Sequence, residues 1–193
     1  MKNKILFFNI TWMRSYSGMR NDSVSGGGNY VKEHGWGHEI FNFSPIKSKL
    51  HGYGAVQGNI NIDNLGASKN DHFVKGITVV WTAKKPSGGS FVVGWYKNAT
   101  VYRNEQFQSR SFRGNEMTFF VECNAKDATL LREDERQFEV PRGKGGFGQR
   151  NIWYANNNEI FLKTIDSYIF KGILPITKRK STRRAFQVDS IKR

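Results

Sequence analysis

The pattern of apolar and polar positions predicts a chain built mainly from short β-strands. The runs Ile77 to Ala83 and Phe91 to Tyr96 are β-branched and aromatic and contain almost no helix-forming residues. The segment between them, Lys84-Lys85-Pro86-Ser87-Gly88-Gly89, contains a proline and paired glycines that favour turn dihedral angles. The two runs are therefore predicted to form a β-hairpin that carries two lysines at its tip.

The second arm of this hairpin has the features of a pocket wall. Side chains alternate across a strand, so Trp95 and Tyr96 are predicted to leave opposite faces of the sheet. Gly94 precedes them, and a glycine inside a strand is typical of a close approach by a ligand or by another backbone. We interpret this arm as a candidate binding surface.

The remaining elements complete a mostly β chain. Further strands are predicted at Lys4 to Thr11, Glu39 to Phe43 and Glu116 to Cys123, and Ser15 to Asn29 is predicted to be a flexible loop able to order on a ligand. Only Asn158 to Phe170 has a helical period, with Asn157 or Asn158 as its N-cap. The expected fold class is mostly β with few helices (α+β), a closed or nearly closed barrel with a C-terminal amphipathic helix.

The length of the chain indicates its domain organisation, and its net charge indicates the class of partner. The chain has 193 residues and a formal net charge of +14, and a potential of this sign concentrates polyanions at the surface. We expect one domain over residues 1–170 and a basic tail or linker over residues 171–193. Nucleic acid is the leading candidate partner.

Cysteine content and hydropathy indicate the compartment. A single cysteine, Cys123, excludes an internal disulfide and fits a reducing environment. Asn9 interrupts the apolar run at the N-terminus, and no apolar run approaches the roughly 18 residues that span a bilayer. We expect a cytoplasmic protein with no membrane partner.

The sequence contains no complete catalytic or metal-binding motif that we recognise. Glycines separate His34 from His38, so these side chains do not share a helix face, and we expect no metal. We find no HNH pattern, no restriction-type metal motif and no G-x-S-x-G elbow, and Cys123 is interpreted as an inert core thiol. We expect no catalytic residues and no cofactor, although an enzyme with an unrecognised site stays an alternative.

The glycine-rich segment Gly143 to Gly148 satisfies the pattern G-x-G-x-x-G. A dinucleotide-binding fold needs alternating strands and helices, and this chain has one predicted helix. Two interpretations stay open. The turn either presents backbone N–H groups and cations to a phosphate, with Arg142, Lys144 and Arg150 nearby, or it is a plain surface loop.

Aromatic residues next to glycines or loops form the candidate pocket. Trp12, Trp36 and Trp95 have such positions, and Lys97 with Asn98 supplies a cation and an amide directly after Trp95 and Tyr96. A base extruded from a duplex is held by stacking between rings and by hydrogen bonds to its edge. This mixture of residues is suited to that task.

Four strings carry a resemblance to a known family: ILFFNITW, GGGNYVKEHGWGHE, VVGWYKNATVYR and GKGGFGQRNIWYA. They resemble the N-terminal domain of bacterial modification-dependent restriction endonucleases, which often precedes an HNH nuclease domain. The resemblance implies a PUA-like β-barrel, similar to SRA, EVE and YTH readers, that flips a modified base into a cage. Carried over to this sequence, it points to Asn9, Trp12, Tyr30, Trp95, Tyr96 and Asn98. A basic tail follows where the nuclease domain would begin.

The expected function is thus a DNA-binding module that recognises a modified base, with modified cytosine as the first candidate, and that targets a restriction system. Its expected partners are double-stranded DNA carrying the modified base and a nuclease domain or subunit. An RNA-binding PUA-like module and a nuclease with an unrecognised active site stay alternatives. The candidate pocket consists of Asn9, Trp12, Tyr30, Trp36, Trp95, Tyr96 and Asn98. The candidate phosphate-binding residues are Lys84, Lys85, Lys97, Arg142, Lys144, Arg150, Lys178, Arg179 and Lys180.

Overall fold

A computed structural model describes residues 4–143, 146–148 and 150–172 of the chain. The expected basic tail beyond residue 172, with Lys178, Arg179 and Lys180, lies outside the described residues, as does Lys144. No helix in the described ranges is long and apolar enough to cross a bilayer.

The chain forms a seven-stranded sheet. Six strands follow the order β2-β5-β4-β3-β1-β7, and β6 pairs with β4 off this path. The pair β1 and β3 is parallel, and the other pairs are antiparallel. The strands are β1 (Ile5–Ile10), β2 (Lys49–Gly52), β3 (Phe73–Lys84), β4 (Ser90–Phe112), β5 (Asn115–Asn124), β6 (Ala128–Leu130) and β7 (Ile152–Trp153).

The mostly β prediction is confirmed, but the sheet is not closed into a barrel. Its path ends at β2 and β7, which are not paired with each other within the described residues. These end strands have four and two residues, so they offer little backbone for a closing ladder of hydrogen bonds. Closure of the expected barrel is therefore corrected to an open sheet.

The predicted hairpin is present as β3 and β4, and both arms are longer than predicted. β4 has 23 residues and pairs with β3, β5 and β6. The strand predicted at Glu39 to Phe43 is wrong, because His38–Phe41 forms a 3-10 helix. Its end is fixed by Asn42, whose amide donates to the Tyr53 carbonyl at 2.9 Å and accepts from the Tyr53 N–H at 2.8 Å. That partner is distant in sequence, so local pattern did not reveal it.

Two α-helices accompany the sheet, α1 (Asn29–His34) and α2 (Glu159–Lys171). The predicted C-terminal helix is confirmed as α2, and the Asn158 side chain caps it by accepting from the Phe161 N–H at 3.1 Å. Ile165, Tyr168 and Ile169 form its buried stripe. This stripe covers one face of the sheet.

Each face of the sheet has its own core. In β1, Leu6, Phe8 and Ile10 belong to the larger core, whereas Ile5 and Phe7 belong to the core beneath α2. A strand that is buried on both faces needs apolar residues at consecutive positions, and this explains the unbroken run Ile5 to Phe8. Polar residues begin with Asn9, where β1 approaches its end.

Candidate functional site

A cavity of about 560 Å³ lies where the parallel strands β1 and β3 end. β1 and the residue after it contribute Asn9, Ile10 and Thr11, and β3 contributes Lys84. The loop before α1, the helix itself and the 3-10 helix form the opposite side. The lining residues from these and neighbouring segments include Gly26, Gly27, Gly28, Tyr30, His38, Glu39, Tyr53, Ala55, Arg142 and Asn151.

Three rings form what we call the aromatic wall: Tyr30, His38 and Tyr53. The His38 and Tyr53 ring centroids are 4.9 Å apart, and Tyr30 is 42% exposed. Trp36 backs the wall, with centroids 5.7 Å from Tyr30 and 5.6 Å from His38. The wall thus lines the cavity with aromatic rings, two of which pack on Trp36.

Hydrogen bonds fix the orientation and protonation of His38. Its Nδ1 accepts from the Thr118 backbone N–H at 3.1 Å, which places the proton of the neutral ring on Nε2. The Thr118 hydroxyl lies 2.9 Å from the same Nδ1 and donates to Glu105 Oε1 at 2.6 Å. Burial lowers the pKa of His38, although the Glu105 carboxylate acts in the opposite direction. At neutral pH the wall therefore contains a neutral imidazole.

Two buried polar side chains, Thr11 and Glu39, form what we call the polar pair. Glu39 is 6% exposed and lines the cavity, and a side chain on Gly37 would overlap its carboxyl group. Burial raises the pKa of Glu39, whereas the backbone of Glu39 and the hydroxyl and backbone of Thr11 oppose the shift. The Thr11 hydroxyl is buried beside this carboxyl group, but it lacks a well-aligned hydrogen-bond partner among the described residues. Thr11 is therefore the member of the polar pair that is incompletely satisfied.

Amides and a guanidinium group build the rim of the cavity. Asn9 Nδ2 donates to Asn151 Oδ1 at 3.4 Å, and Asn151 Nδ2 donates to the Ala55 carbonyl at 2.9 Å. The Arg142 guanidinium donates to Asn9 Oδ1 and, at 2.9 Å, to Ser90 Oγ. Burial lowers the pKa of Arg142 below its ordinary value, and the guanidinium stays cationic at neutral pH. Arg142 thus holds the rim together and brings positive charge to it.

The loop before α1 is organised by the Asp22 carboxylate. It accepts from the backbone N–H groups of Arg14 at 2.9 Å, Ser15 at 2.7 Å and Ser23 at 2.9 Å, and from the Ser15 hydroxyl at 2.8 Å. Trp12 and Ser25 exchange two backbone hydrogen bonds of 2.9 Å. Internal hydrogen bonds thus hold this loop from Asp22 to Ser25, and Ser25 lines the cavity directly before Gly26 to Gly28.

The structure places three of the predicted pocket residues at or behind the cavity. Asn9 and Tyr30 line it, and Trp36 supports the aromatic wall from behind. Trp12 does not line it. Its Nε1 donates to Glu133 Oε1 at 3.0 Å, and the Arg136 guanidinium lies 4.7 Å from its ring centroid. Trp12 follows Thr11 directly, so its ring points away from the side that Thr11 lines.

The other three predicted pocket residues are elsewhere. Trp95 packs beneath α2, with its ring centroid 5.6 Å from that of Tyr168. Tyr96 is fully buried on the opposite face and donates to the Asn42 carbonyl. The predicted opposite directions of these two rings are confirmed. Asn98 is exposed, with φ of 53°, at an irregularity in the pairing of β3 with β4.

Gly94 has a structural reason to lack a side chain. A Cβ at this position would overlap the Thr129 carbonyl oxygen of β6 and the ring of Phe43. The close approach predicted from this glycine is therefore made by the backbone of another strand and by a core ring. The candidate pocket wall on β4 is corrected to a packed strand.

The candidate cations are dispersed. Lys84 and Arg142 line the cavity, and Arg150 lies in an adjoining cleft that shares Ala55 and Asn151 with it. Lys97 Nζ lies 4.6 Å from the Phe170 ring centroid, at the end of α2, and Lys85 lies over Phe91 at the hairpin tip. Lys84 and Arg142 are thus the cations that meet the cavity directly.

The glycine-rich turn uses its own hydrogen-bond donors. Gly143, Gly146 and Phe147 donate their N–H groups to Phe147, Gly143 and Pro141 carbonyls at 3.2, 3.0 and 2.7 Å. These three N–H groups are consequently occupied, which favours the plain loop over a phosphate cradle for the described part of this turn. Arg142 contributes its cation to the cavity instead.

Sequence reasoning missed Thr11, Glu39, Tyr53 and Asn151, and it considered His38 only as a metal ligand. Glycines flank Tyr53 on both sides, and Gly37 precedes His38 and Glu39, so glycine next to a ring or an acid was the available signal. Within the described ranges, no group of three or more His, Cys, Asp or Glu side chains is placed to hold a metal ion. Burial raises the pKa of the Cys123 thiol to about 12.

Comparison of the chain with protein-family models, curated proteins and solved structures gives no match.

Proposed function

We propose that this protein binds nucleic acid and holds one extruded base in the cavity at the ends of β1 and β3. The observation that carries the proposal is the cavity itself, in which the aromatic wall faces an incompletely satisfied polar pair under a cationic rim. An extruded base needs a stacking surface and hydrogen-bonding partners for its edge. The cavity offers both.

Size and charge support the same function. A volume of about 560 Å³ lies within the roughly 300–1,000 Å³ of typical ligand pockets. Lys84 and Arg142 stand where the sugar and phosphates of an inserted nucleotide would remain outside. The net charge of +14 supplies sequence-independent attraction to the rest of the polyanion. Attraction and base uptake are thus assigned to different parts of the molecule.

The resemblance of the four sequence strings narrows the proposal. It favours duplex DNA carrying a modified base as the ligand, a PUA-like domain as the fold family, and targeting of a restriction nuclease as the cellular role. Modified cytosine stays the first candidate base. In this proposal the described domain reads and does not cut, since catalysis is assigned to a nuclease domain or subunit.

Binding measurements with matched ligands test the proposal. We compare one duplex sequence without modification, with a single 5-methylcytosine and with a single 5-hydroxymethylcytosine, and a single-stranded RNA of the same sequence. A modified duplex is expected to bind most tightly. Tyr30→Ala is expected to reduce that preference by about 1–3 kcal/mol, the usual value of a base–aromatic stack.

The matched control is Phe73→Ala. Phe73 is 45% exposed, close to the value for Tyr30, and its ring packs on Tyr102 and does not line the cavity. The control should retain the preference. Equal binding of all duplexes by the unaltered protein would contradict the proposal, and tightest binding of the RNA would support the RNA-binding alternative.

A further inference from the structure

The rim of the cavity contains two side-chain amides whose orientation is fixed by their neighbours. Asn151 Nδ2 donates to the Ala55 carbonyl, and Asn151 Oδ1 accepts from Asn9 Nδ2. Asn9 Oδ1 in turn accepts from the Arg142 guanidinium. Reversing either amide would set two donors against each other at Arg142 or two acceptors at the Ala55 carbonyl. The bonds of the rim thus determine which atom of each amide is the N–H donor.

This arrangement leaves the rim with unused donors. One N–H group of Asn9 and one of Asn151 have no partner among the described residues. The Arg142 guanidinium makes three hydrogen bonds within the described chain and has further N–H groups. Lys84 adds an ammonium group. All four of these side chains line the cavity, so a ligand can reach their donors.

The positive charge of the rim is not neutralised by acids of the described chain. Among those residues no carboxylate forms an ion pair with Lys84 or Arg142. Glu39 lines the same cavity from the 3-10 helix, and burial raises its pKa, so the fold disfavours its ionised form. N–H groups next to unneutralised cations favour an oxyanion, since charge-assisted hydrogen bonds are about twice as strong as neutral ones.

From these observations we infer that the rim is an oxyanion subsite, in which the Asn9 and Asn151 N–H groups and the Arg142 guanidinium bind the oxygens of one anionic group. A nucleic-acid ligand has two sources of such a group. One is the phosphate next to the extruded nucleotide, and the other is a carboxyl group on the extruded base, as in 5-carboxylcytosine. The inference rests on the proposed function, because it names the chemistry that the same cavity selects.

The two sources give the subsite different roles. A phosphate lies beside every nucleotide, so a subsite for it positions the strand and carries no information about the base. A carboxyl group is present only on one kind of modified base, so a subsite for it selects that modification. The same donors therefore predict different preferred ligands, and a binding experiment can tell them apart.

Six DNA duplexes of one sequence distinguish the sources. Three carry cytosine, 5-methylcytosine or 5-carboxylcytosine at one position. The other three carry 5-methylcytosine there and one neutral methylphosphonate in the same strand. This group is placed directly 5′ of the modified nucleotide, directly 3′ of it, or at the duplex end as the control for the loss of one charge. Fluorescence anisotropy gives the dissociation constants.

The unaltered protein is expected to show one of two results. If the base supplies the oxyanion, the 5-carboxylcytosine duplex binds at least about tenfold more tightly than the 5-methylcytosine duplex, the usual effect of a hydrogen bond to a charged group. If the backbone supplies it, one flanking methylphosphonate weakens binding at least about tenfold more than the terminal one does. Differences within about twofold in both comparisons would overturn the inference.

Variants of Asn9 assign the effect to the subsite. Asn9→Asp keeps an oxygen for Arg142 but replaces the N–H donor with an acceptor, so the tenfold effect should disappear. Asn9→Leu removes the donor without adding charge and should reduce the effect to within about twofold. Asn104→Asp is the matched control, because Asn104 is exposed, does not line the cavity and undergoes the same change of charge. Melting temperatures show which variants fold.

The outcomes separate this inference from the proposed function. A tenfold effect that persists in a folded Asn9 variant would overturn the inference, because the effect would then arise elsewhere. The comparisons in the unaltered protein decide even where neither variant folds. If the oxyanion effects are absent but Tyr30→Ala loses a preference for 5-methylcytosine over cytosine, the inference fails and base uptake is supported. Failure of all six duplexes to bind would contradict the proposed function itself.

Discussion

Aromatic side chains cluster in two regions of this protein, and the two clusters differ in what surrounds the rings. Beneath α2, Trp95 meets Tyr168, and Tyr168 meets Phe138 at a centroid distance of 4.9 Å. At the cavity, Tyr30 and Tyr53 face open volume and the polar pair. The comparison shows that rings alone do not mark a binding site. An open volume that rings share with polar side chains such as Thr11 and Glu39 is the stronger indication.

The two regions also differ in the forces that maintain them. The core under α2 is held by apolar packing, which depends weakly on pH and salt. The cavity margin is held by hydrogen bonds to Asp22 and by those of the Asn9, Arg142 and Asn151 side chains. Substitutions in the first region should therefore change stability, and those in the second should change binding, local order and pH response.

The largest expected effect is that of Trp95→Ala. Truncation of a buried indole in a packed core should lower the free energy of unfolding by about 3–5 kcal/mol, measured by urea denaturation. Among molecules that stay folded, the preference for modified over plain duplex should not change. Ile160→Ala is the control, because Ile160 lies on α2 but is 81% exposed in the unaltered protein, and it should cost less than about 0.5 kcal/mol. If a stable Trp95→Ala variant lost the preference for modified over plain duplex, Trp95 would have to belong to the binding site.

An intermediate effect is expected for Asp22→Ala. Removing the acceptor of several hydrogen bonds should cost about 1–3 kcal/mol at pH 7 and increase proteolytic cleavage within the loop before α1. Although burial acts in the opposite direction, the hydrogen bonds from Arg14, Ser15 and Ser23 lower the pKa of Asp22 below its ordinary value of 3.8.

The direction of this shift determines the pH response. A lowered pKa means that the fold favours the ionised form, so the contribution of Asp22 is complete above pH 3.8 and is lost as pH falls through the lower folded value. The difference in free energy of unfolding between the unaltered protein and Asp22→Ala should therefore shrink as the pH falls below 3.8. Asp134→Ala, which removes an exposed acid paired only with exposed Arg132, is the control. A difference that grows on acidification would contradict the assignment.

The smallest expected effect is that of Lys84→Ala. Lys84 lies exposed at the end of β3 on the rim, where it is proposed to contact a phosphate. Its removal should reduce the slope of log affinity against log salt concentration by about 1, equally for plain and modified duplexes. Lys126→Ala, at an exposed position that does not line the cavity, should leave the slope unchanged. A loss confined to the modified duplex would make Lys84 a base-reading residue.

Much of the fold could be predicted from the sequence, because local patterns specify the elements. The β-branched runs gave the hairpin, the 3.6-residue period gave α2, and alternation placed Trp95 and Tyr96 on opposite faces. Closure of the sheet could not be predicted in this way. Closure depends on the lengths of β2 and β7 and on what covers their edges. The sequence pattern of a single segment determines neither of these.

Less of the site could be predicted. Asn9 and Tyr30 were identified through resemblance and line the cavity, whereas Glu39 was assigned to a strand and received no role. In a strand through Glu39, successive side chains would have pointed to alternate faces of a sheet. The 3-10 helix instead turns the carboxyl group into the cavity, and its end depends on Asn42 bonding to Tyr53.

The sequence by itself determined the mostly β class, the single C-terminal helix and the net charge of +14, because these follow from composition and from periods of two and 3.6 residues. Only the tertiary structure decided which rings are core and which face a cavity. Burial and hydrogen-bond satisfaction depend on segments distant in sequence. Thr11 and Glu39 became a candidate site because the tertiary structure brings these two buried polar side chains together in the lining of one cavity.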